Sequence, residues 1–304
     1  MENLRSILHS NSIKLANILR RKESRRFTVP LETTTDLPTI LYSPHDYCET
    51  VQTSENKHAR VRYSGPTAMD ASLSIYVSLI QDKKNNKGCK PNVMYLDFSN
   101  NNSLEKSFLK PLKTFENLQV LSLSNTGLKS VPKTILKMHG NLEYLDLSDN
   151  FISEIPTRAK WSHIKGINLR NNRFFRWPDA VIPAIMPDLE FIDISHNTLT
   201  GPIPEDLAFE QLKHIGMSYC SLTKFPSFIQ GLITLKSIDL SGNHDMQHFT
   251  LHDLESSLSL IHINLQGIKI LETSTVAHFP PNLIIAKYCP NFRKPNMQNI
   301  LFIM

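Results

Sequence analysis

Between Val93 and Asn291, apolar and polar residues alternate in one short phrase that returns nine times at intervals of 22 to 25 residues. Val93, Leu118, Leu142, Ile164, Leu189, Leu212, Leu235, Leu260 and Leu283 open the copies. The clearest read LEYLDLSDNFISEIP (142–156), LEFIDISHNTLTGPIP (189–204) and LKSIDLSGN (235–243). Leu145 and Leu147 alternate with polar Asp146 and Ser148, a period of two that predicts a short strand buried on one face. A fixed period of this size predicts a solenoid, its strands stacked into a parallel sheet along the concave side. The returning segments, KSVPKTILKMHGN (129–141) and TKFPSFIQGLITL (223–235), switch to helical spacing. Pro132, Pro156, Pro178, Pro204 and Pro226 fall at equivalent places, where a fixed φ suits the turn toward the convex side. Ile135, Ile229 and Leu232 are expected to plug the outer layer, and each repeat buries its apolar rows only against its neighbours.

An Asn closes most phrases: Asn101, Asn150, Asn172, Asn197, Asn243 and Asn291. Its amide can bond backbone groups of adjacent turns. Thr126 and Cys220 at this position can still donate a weaker hydrogen bond, but Ile268 cannot. A buried partner left unsatisfied costs about 1–3 kcal/mol, so the eighth copy is expected to carry a local irregularity.

These phrases resemble leucine-rich repeats, and the resemblance covers about two thirds of the chain. The LTKFPSFIQGLITLKSIDLSGN stretch is similar to the typical intracellular class found in Ras-pathway scaffolds and some bacterial effectors, whereas LTGPIP (199–204) resembles the plant receptor class. The resemblance implies an α/β horseshoe of about nine repeats with protein binding as its usual activity. It carries over no catalytic residues.

The flanks predict four segments. Residues 1–26 are a basic amphipathic head, with Leu4, Ile7, Leu8, Leu15, Ile18 and Leu19 at near-helical spacing. Residues 27–66 are rich in Ser, Thr and Pro without a sustained period and read as a partly disordered linker. In 67–90, TAMDASLSIYVSLI regains helical spacing, and Thr67 with Asp70 forms a capping-box signature. A helix there is expected to cap the first repeat. The repeat domain then occupies 91–304. Its tail stops inside a repeat, and the expectation is either that Ile300 to Met304 fold back as a minimal cap or that the chain lacks a C-terminal portion.

Charge changes the picture only at the head. Residues 1–26 hold seven basic residues (Arg5, Lys14, Arg20, Arg21, Lys22, Arg25, Arg26) against Glu2 and Glu23, which is +5, the same as the whole chain. The remaining residues are balanced, so the solenoid exerts no global pull on nucleic acid or membrane. Such contacts are expected only through 1–26, which also reads as a solvated arm or a mitochondrial presequence. The four cysteines (48, 89, 220 and 289) show no paired spacing. A reducing, intracellular and first of all cytoplasmic location is expected, with Cys220 a buried thiol.

No GxGxxG, P-loop, HExxH, GxSxG or paired CxxC occurs, so neither an enzyme nor a cofactor or metal site is expected. His244, His248 and His252 fall four apart, but His244 follows the turn Asn directly and the three read as surface histidines. Cys48 has no surroundings that support a nucleophile.

Two columns are expected to be exposed on the concave face. One runs Tyr95, Val120, Tyr144, Gly166, Phe191, His214, Ser237, His262 and Ile285. The next runs Asp97, Ser122, Asp146, Asn168, Asp193, Gly216, Asp239, Asn264 and Lys287, and its acidic members are also what the LDLS consensus itself produces. Departures from the repeat rule are more informative. Arg170, Arg173, His196, His214 and Tyr219 cluster in the fourth to sixth copies beside Tyr144 and Phe191, and aromatics and Arg are enriched in interface hot spots. With Tyr95, these form the candidate binding patch; neutral variation on an exposed strand is the competing reading.

The expected function is a non-enzymatic, monomeric interaction module or scaffold that holds a protein partner, and no small-molecule substrate, on the concave face. Two alternatives are a pathogen effector whose repeats bind a host protein, and an organellar or nucleic-acid-associated factor that uses the basic head.

Overall fold

Each phrase becomes a strand of three to five residues, and the strands stack in chain order into one parallel sheet. The structure, a computed structural model, describes residues 59–62, 93–101, 104, 109–138, 140–246, 249, 251–254, 257, 259–268, 284–286 and 301–303. Among these, the eleven strands are β1 (Ala59–Arg62), β2 (Val93–Asp97), β3 (Val120–Ser122), β4 (Tyr144–Asp146), β5 (Gly166–Asn168), β6 (Phe191–Asp193), β7 (His214–Gly216), β8 (Ser237–Asp239), β9 (His262–Asn264), β10 (Ile284–Ala286) and β11 (Leu301–Ile303). Parallel neighbours joined in sequence order make a solenoid. The predicted head (1–26) and capping helix (67–90) lie outside the described residues.

Three apolar rows run the length of the solenoid. The central strand residues Leu96, Leu121, Leu145, Ile167, Ile192, Ile215, Ile238 and Ile263 are all buried, as are the openers from Leu118 to Leu260. The third row is Phe98, Leu123, Leu147, Leu169, Ile194, Met217, Leu240 and Leu265. Behind them, Pro132 precedes the helical turn α1 (Lys133–Leu136), and Pro226 precedes a 3-10 turn at Ser227–Gly231. Ile135, Ile229 and Leu232 plug this outer layer with no exposure. Trp161 closes it further, its indole N–H donating to the Ile135 carbonyl at 2.9 Å.

The turn Asn works as a tie between turns. The Asn150 amide donates to the carbonyls of Leu123, Leu147 and Ser148 at 2.8 to 3.0 Å, and its oxygen accepts from the amides of Thr126 and Leu128 at 3.1 and 2.9 Å. Asn172, Asn197 and Asn243 repeat the arrangement. Thr126 substitutes with its hydroxyl, 2.7 Å from the Leu123 carbonyl and 3.2 Å from the Asn150 side-chain oxygen, and Cys220 with longer thiol contacts of 3.4 and 3.5 Å. Ile268 is packed into the core at 1% exposure.

Three details differ from the sequence pattern. Ala59–Arg62, inside the span read as linker, forms β1 and pairs parallel with β2 through a bulge at Ala59/Arg60; four residues are too few for a period to announce a strand. The ninth phrase slips by one residue, because Ile284 pairs with His262 and Ile285 with Ile263. This sets Ile285, not Ala286, opposite Ile263 of the central row, so Ile285 leaves the first predicted column, while Lys287 lies outside the described residues. The slip follows the turn that carries Ile268, although β9 itself keeps register with β8. Finally, Leu301–Ile303 continues the sheet as a further parallel strand on β10 instead of folding back as a cap.

Candidate interaction surface

The sheet register carries the first predicted column intact through eight strands. Tyr95, Val120, Tyr144, Gly166, Phe191, His214, Ser237 and His262 pair in unbroken sequence. Tyr144 and Phe191 flank the buried Gly166, so the two rings are set two strands, roughly 9–10 Å, apart along the sheet. Tyr144, Phe191 and His214 are half-buried. Tyr95 starts the column two strands before Tyr144, away from the others. Burial first, then the adjacent Glu143, raises the Tyr144 phenol above its ordinary range.

Beside this column lies a ladder of opposite charges. Lys165 reaches the Glu143 carboxylate at 3.0 Å, and Lys213 reaches Glu190 at 2.8 Å. Both pairs join adjacent strands and are partly exposed, so each contributes well under about 1 kcal/mol.

The second column is not exposed as predicted. Asp97, Ser122, Asp146 and Asn168 are buried, because the side chains satisfy one another and the strand ends. The Asp146 carboxylate accepts from the Ser148 amide (3.0 Å), the Ser148 hydroxyl (2.8 Å) and the Asn168 amide (3.0 Å). Asp97, Asp193 and Asp239 accept from the amide two residues on in the same way. Burial pushes the Asp146 carboxyl up to about 6, against the lowering pull of its Ser148 bonds. The acidic column is therefore a ladder of strand-end caps. Gly216 interrupts it for a steric reason: a Cβ there would stand 2.6 Å from an Asp193 carboxylate oxygen.

At the carboxyl edge of the sheet, the residue before each turn Asn has left-handed φ. Asn100, Asn125, Asp149, Asn171, His196, Tyr219, Gly242 and Gly267 hold φ from +52° to +81°. Asn, Asp and Gly tolerate this region, and His adopts it less often; a bulky Tyr there is an outlier. The column forms its own rim contacts. Asn125 donates to Asn100 at 3.0 Å and Asn171 to Asp149 at 2.7 Å, while the His196 and Tyr219 rings stack with centroids 4.8 Å apart. The His196 imidazole is lowered by burial and then by nearby Arg170.

Of the candidate residues, the structure thus joins His196 to Tyr219 and sets Arg170 beside Asp193, 3.9 Å from its carboxylate. Arg173 lies on the following turn with its guanidinium 4.6 Å from the centre of the exposed Phe151 ring. Phe151 was absent from the candidates; its signal was an aromatic directly after the turn Asn150, a place that otherwise carries small or polar residues in most copies. His214 points a buried Nδ1 and His262 a buried Nε2 at no hydrogen-bond partner. Burial, then Lys236 and Lys213, lowers His214 to about 4. Burial also drives the Cys220 thiol up to about 12, so it is unreactive. His244 is an exposed turn residue with Nδ1 3.0 Å from the Gly267 carbonyl, whereas His248 lies outside the described residues.

A profile described as Leucine Rich Repeat matches residues 141–159 and 188–209, the third and fifth phrases. The chain carries leucine-rich repeats. It is 29% identical over 177 residues to Ras guanine nucleotide exchange factor V of Dictyostelium discoideum, covering 47% of this chain and 9% of that protein. To Receptor-like protein 7 of Arabidopsis thaliana it is 32% identical over 131 residues, covering 42% and 13%. The match therefore spans only a small part of each relative. In the crystal structure of a TLR13–ssRNA13 complex the same fold recurs, with 20% identity, a TM-score of 0.53, and coverage of 77% of this chain and 30% of that one. Leucine-rich repeat proteins are generally non-enzymatic protein–protein interaction modules.

Proposed function

We propose that this chain binds a protein partner on its concave face, across the third to sixth repeats. The observation that carries this is the register. Tyr144 and Phe191 stand in one column astride Gly166, with Arg170, Arg173, His196 and Tyr219 along the adjoining edge. Half-buried aromatic rings held on a rigid sheet lose little side-chain freedom on binding, and this favours a few anchors over a diffuse contact. The partly exposed Glu143–Lys165 and Glu190–Lys213 pairs supply a polar border that orients a partner more than it tightens it.

Site-directed photo-crosslinking tests the reading. A benzophenone amino acid replaces Phe191 in one sample and Ile233, exposed on a returning segment, in another. A discrete protein adduct from position 191 that is absent from position 233 is the expected result. Equal adducts from both positions would contradict the concave assignment.

A further inference from the structure

The repeats of this chain serve as controls for one another, and three columns depart from their own rule at the same place. The left-handed column carries Asn, Asn, Asp and Asn before His196 and Tyr219, then Gly242 and Gly267. The column two residues before the turn Asn reads Ser99, Ser124, Ser148, Arg170, Ser195, Ser218, Ser241 and Gln266. The position after the turn Asn holds Phe151 and then Arg173. Tyr219 keeps a strained backbone while 52% exposed, so its ring does not repay that strain by burial in the core.

Charge on this edge is incompletely matched. Arg176 pairs with Asp179 at 3.0 Å, but Arg170 has its nearest carboxylate, Asp193, at 3.9 Å. Exposed Arg173 pairs with no carboxylate of the described residues and stacks instead on Phe151. With its Cζ 4.6 Å from the Phe151 ring centre and no carboxylate paired to it among the described residues, the Arg173 guanidinium retains N–H donors in the fork geometry that matches a carboxylate. Of the acidic residues nearby, Asp149 is engaged by Asn171 at 2.7 Å, and Asp193 and Asp239 accept from the amides two residues on. His196, held in the neutral direction, adds no cation.

We infer that the edge formed by Phe151, Arg170, Arg173, His196 and Tyr219 receives an acidic segment of the protein partner, with a carboxylate in the plane of the Arg173 guanidinium and an aromatic or apolar side chain against the Tyr219 ring. This rests on the concave-face reading and names the chemistry of its partner. Two guanidiniums close together on a solenoid whose charges, these two included, sum to zero suit a pair of carboxylates. A nucleic-acid backbone would call for many more cations along a track.

The test is panning of a random dodecapeptide phage library on the 304-residue chain, followed by affinity measurement with the enriched peptides made synthetically. Tyr219→Asn and Arg170→Ser restore what other repeats carry at these positions, so they are built to fold; Arg173→Gln removes the charge of an exposed side chain. The expected result is enrichment of Asp or Glu beside an aromatic residue. Affinity should then fall at least tenfold in Arg173→Gln and in Tyr219→Asn, with unchanged circular dichroism and a melting temperature that is not lowered. No enrichment, no acidic bias, or binding unaffected by these substitutions overturns the inference. Enriched peptides that lack acidic bias but are lost with Tyr144→Ala and Phe191→Ala would overturn it while leaving the concave-face reading standing. Tighter binding of a fluorescent oligouridylate than of any peptide, lost in Arg173→Gln, would reassign the edge to RNA and likewise overturn it.

Discussion

The imidazole of His196 stacks on the phenol ring of Tyr219, 24° from parallel, and both residues hold the left-handed backbone that Asn, Asp or Gly supplies in the other repeats. A β-carbon in this region costs on the order of 1–2 kcal/mol. Tyr219→Asn eases that strain, because the short polar Asn side chain offsets part of it by local hydrogen bonding, and forfeits only a half-exposed ring contact. Urea denaturation should show a stability unchanged or raised by up to about 1 kcal/mol. A loss of more than about 1 kcal/mol would mean that the stack outweighs the strain.

Gly242 is tied to the same ring. A Cβ at this position would stand 2.5 Å from Tyr219 Cδ1 and Cε1, and its φ of +73° is itself unfavourable for alanine. Gly242→Ala should therefore destabilise by about 1–2 kcal/mol. In the Tyr219→Asn background the clash is gone and only the backbone penalty remains. A double-mutant cycle should return a coupling of at least about 0.5 kcal/mol; additive effects would count against the contact.

The turn Asn gives a third comparison. Asn150 is buried and engages backbone groups on both sides of its turn, including the amides of Thr126 and Leu128. Asn150→Ala strands several buried donors and acceptors at about 1–3 kcal/mol each, so a loss of at least about 3 kcal/mol is expected. Cys220→Ala removes only two long thiol contacts and should cost about 1–2 kcal/mol. The ordering of the two, read by chemical denaturation, checks the tie.

Much of this was legible beforehand because it follows from period and residue type. The openers, the alternating strand residues and the plug of Ile135, Ile229 and Leu232 are buried where their spacing put them. The column from Tyr95 to His262 likewise follows from counting, because a parallel stack with a fixed phrase leaves its register little freedom. What escaped depended on contacts between side chains. Asp146 reads as exposed from alternation alone, yet Ser148 and Asn168 bond it and it is buried. Phe151 became part of the surface only once Arg173 lay across its ring. The slip at Ile284 depends on pairing with β9, to which the phrase itself is blind.

Acid should weaken the fold through His214. Its folded-state pKa, lowered to about 4, lies below the unfolded value near 6.5. The unfolded chain therefore binds the proton first, and the stability present above about pH 6.5 is lost as pH falls toward 4. His196 and His262 shift in the same direction. Asp146 opposes them: raised to about 6, it is protonated in the folded state before the unfolded one, and its contribution rises as pH falls through 6. His214→Phe, which places in β7 the residue that Phe191 already is in β6, removes the orphaned nitrogen. Its stability advantage over wild type should widen between pH 7 and 4.5, as read by denaturation at each pH. A pH-independent difference would contradict the lowered titration.

The concave face itself is tested most directly by capture from source lysate, comparing wild type with a Tyr144→Ala, Arg170→Ala, Phe191→Ala triple variant of matched circular dichroism. The account expects a discrete protein retained by wild type and lost by the variant, with at least a tenfold weaker affinity when the two are measured with the purified partner. A partner held equally by both would contradict it and move the interface off the sheet.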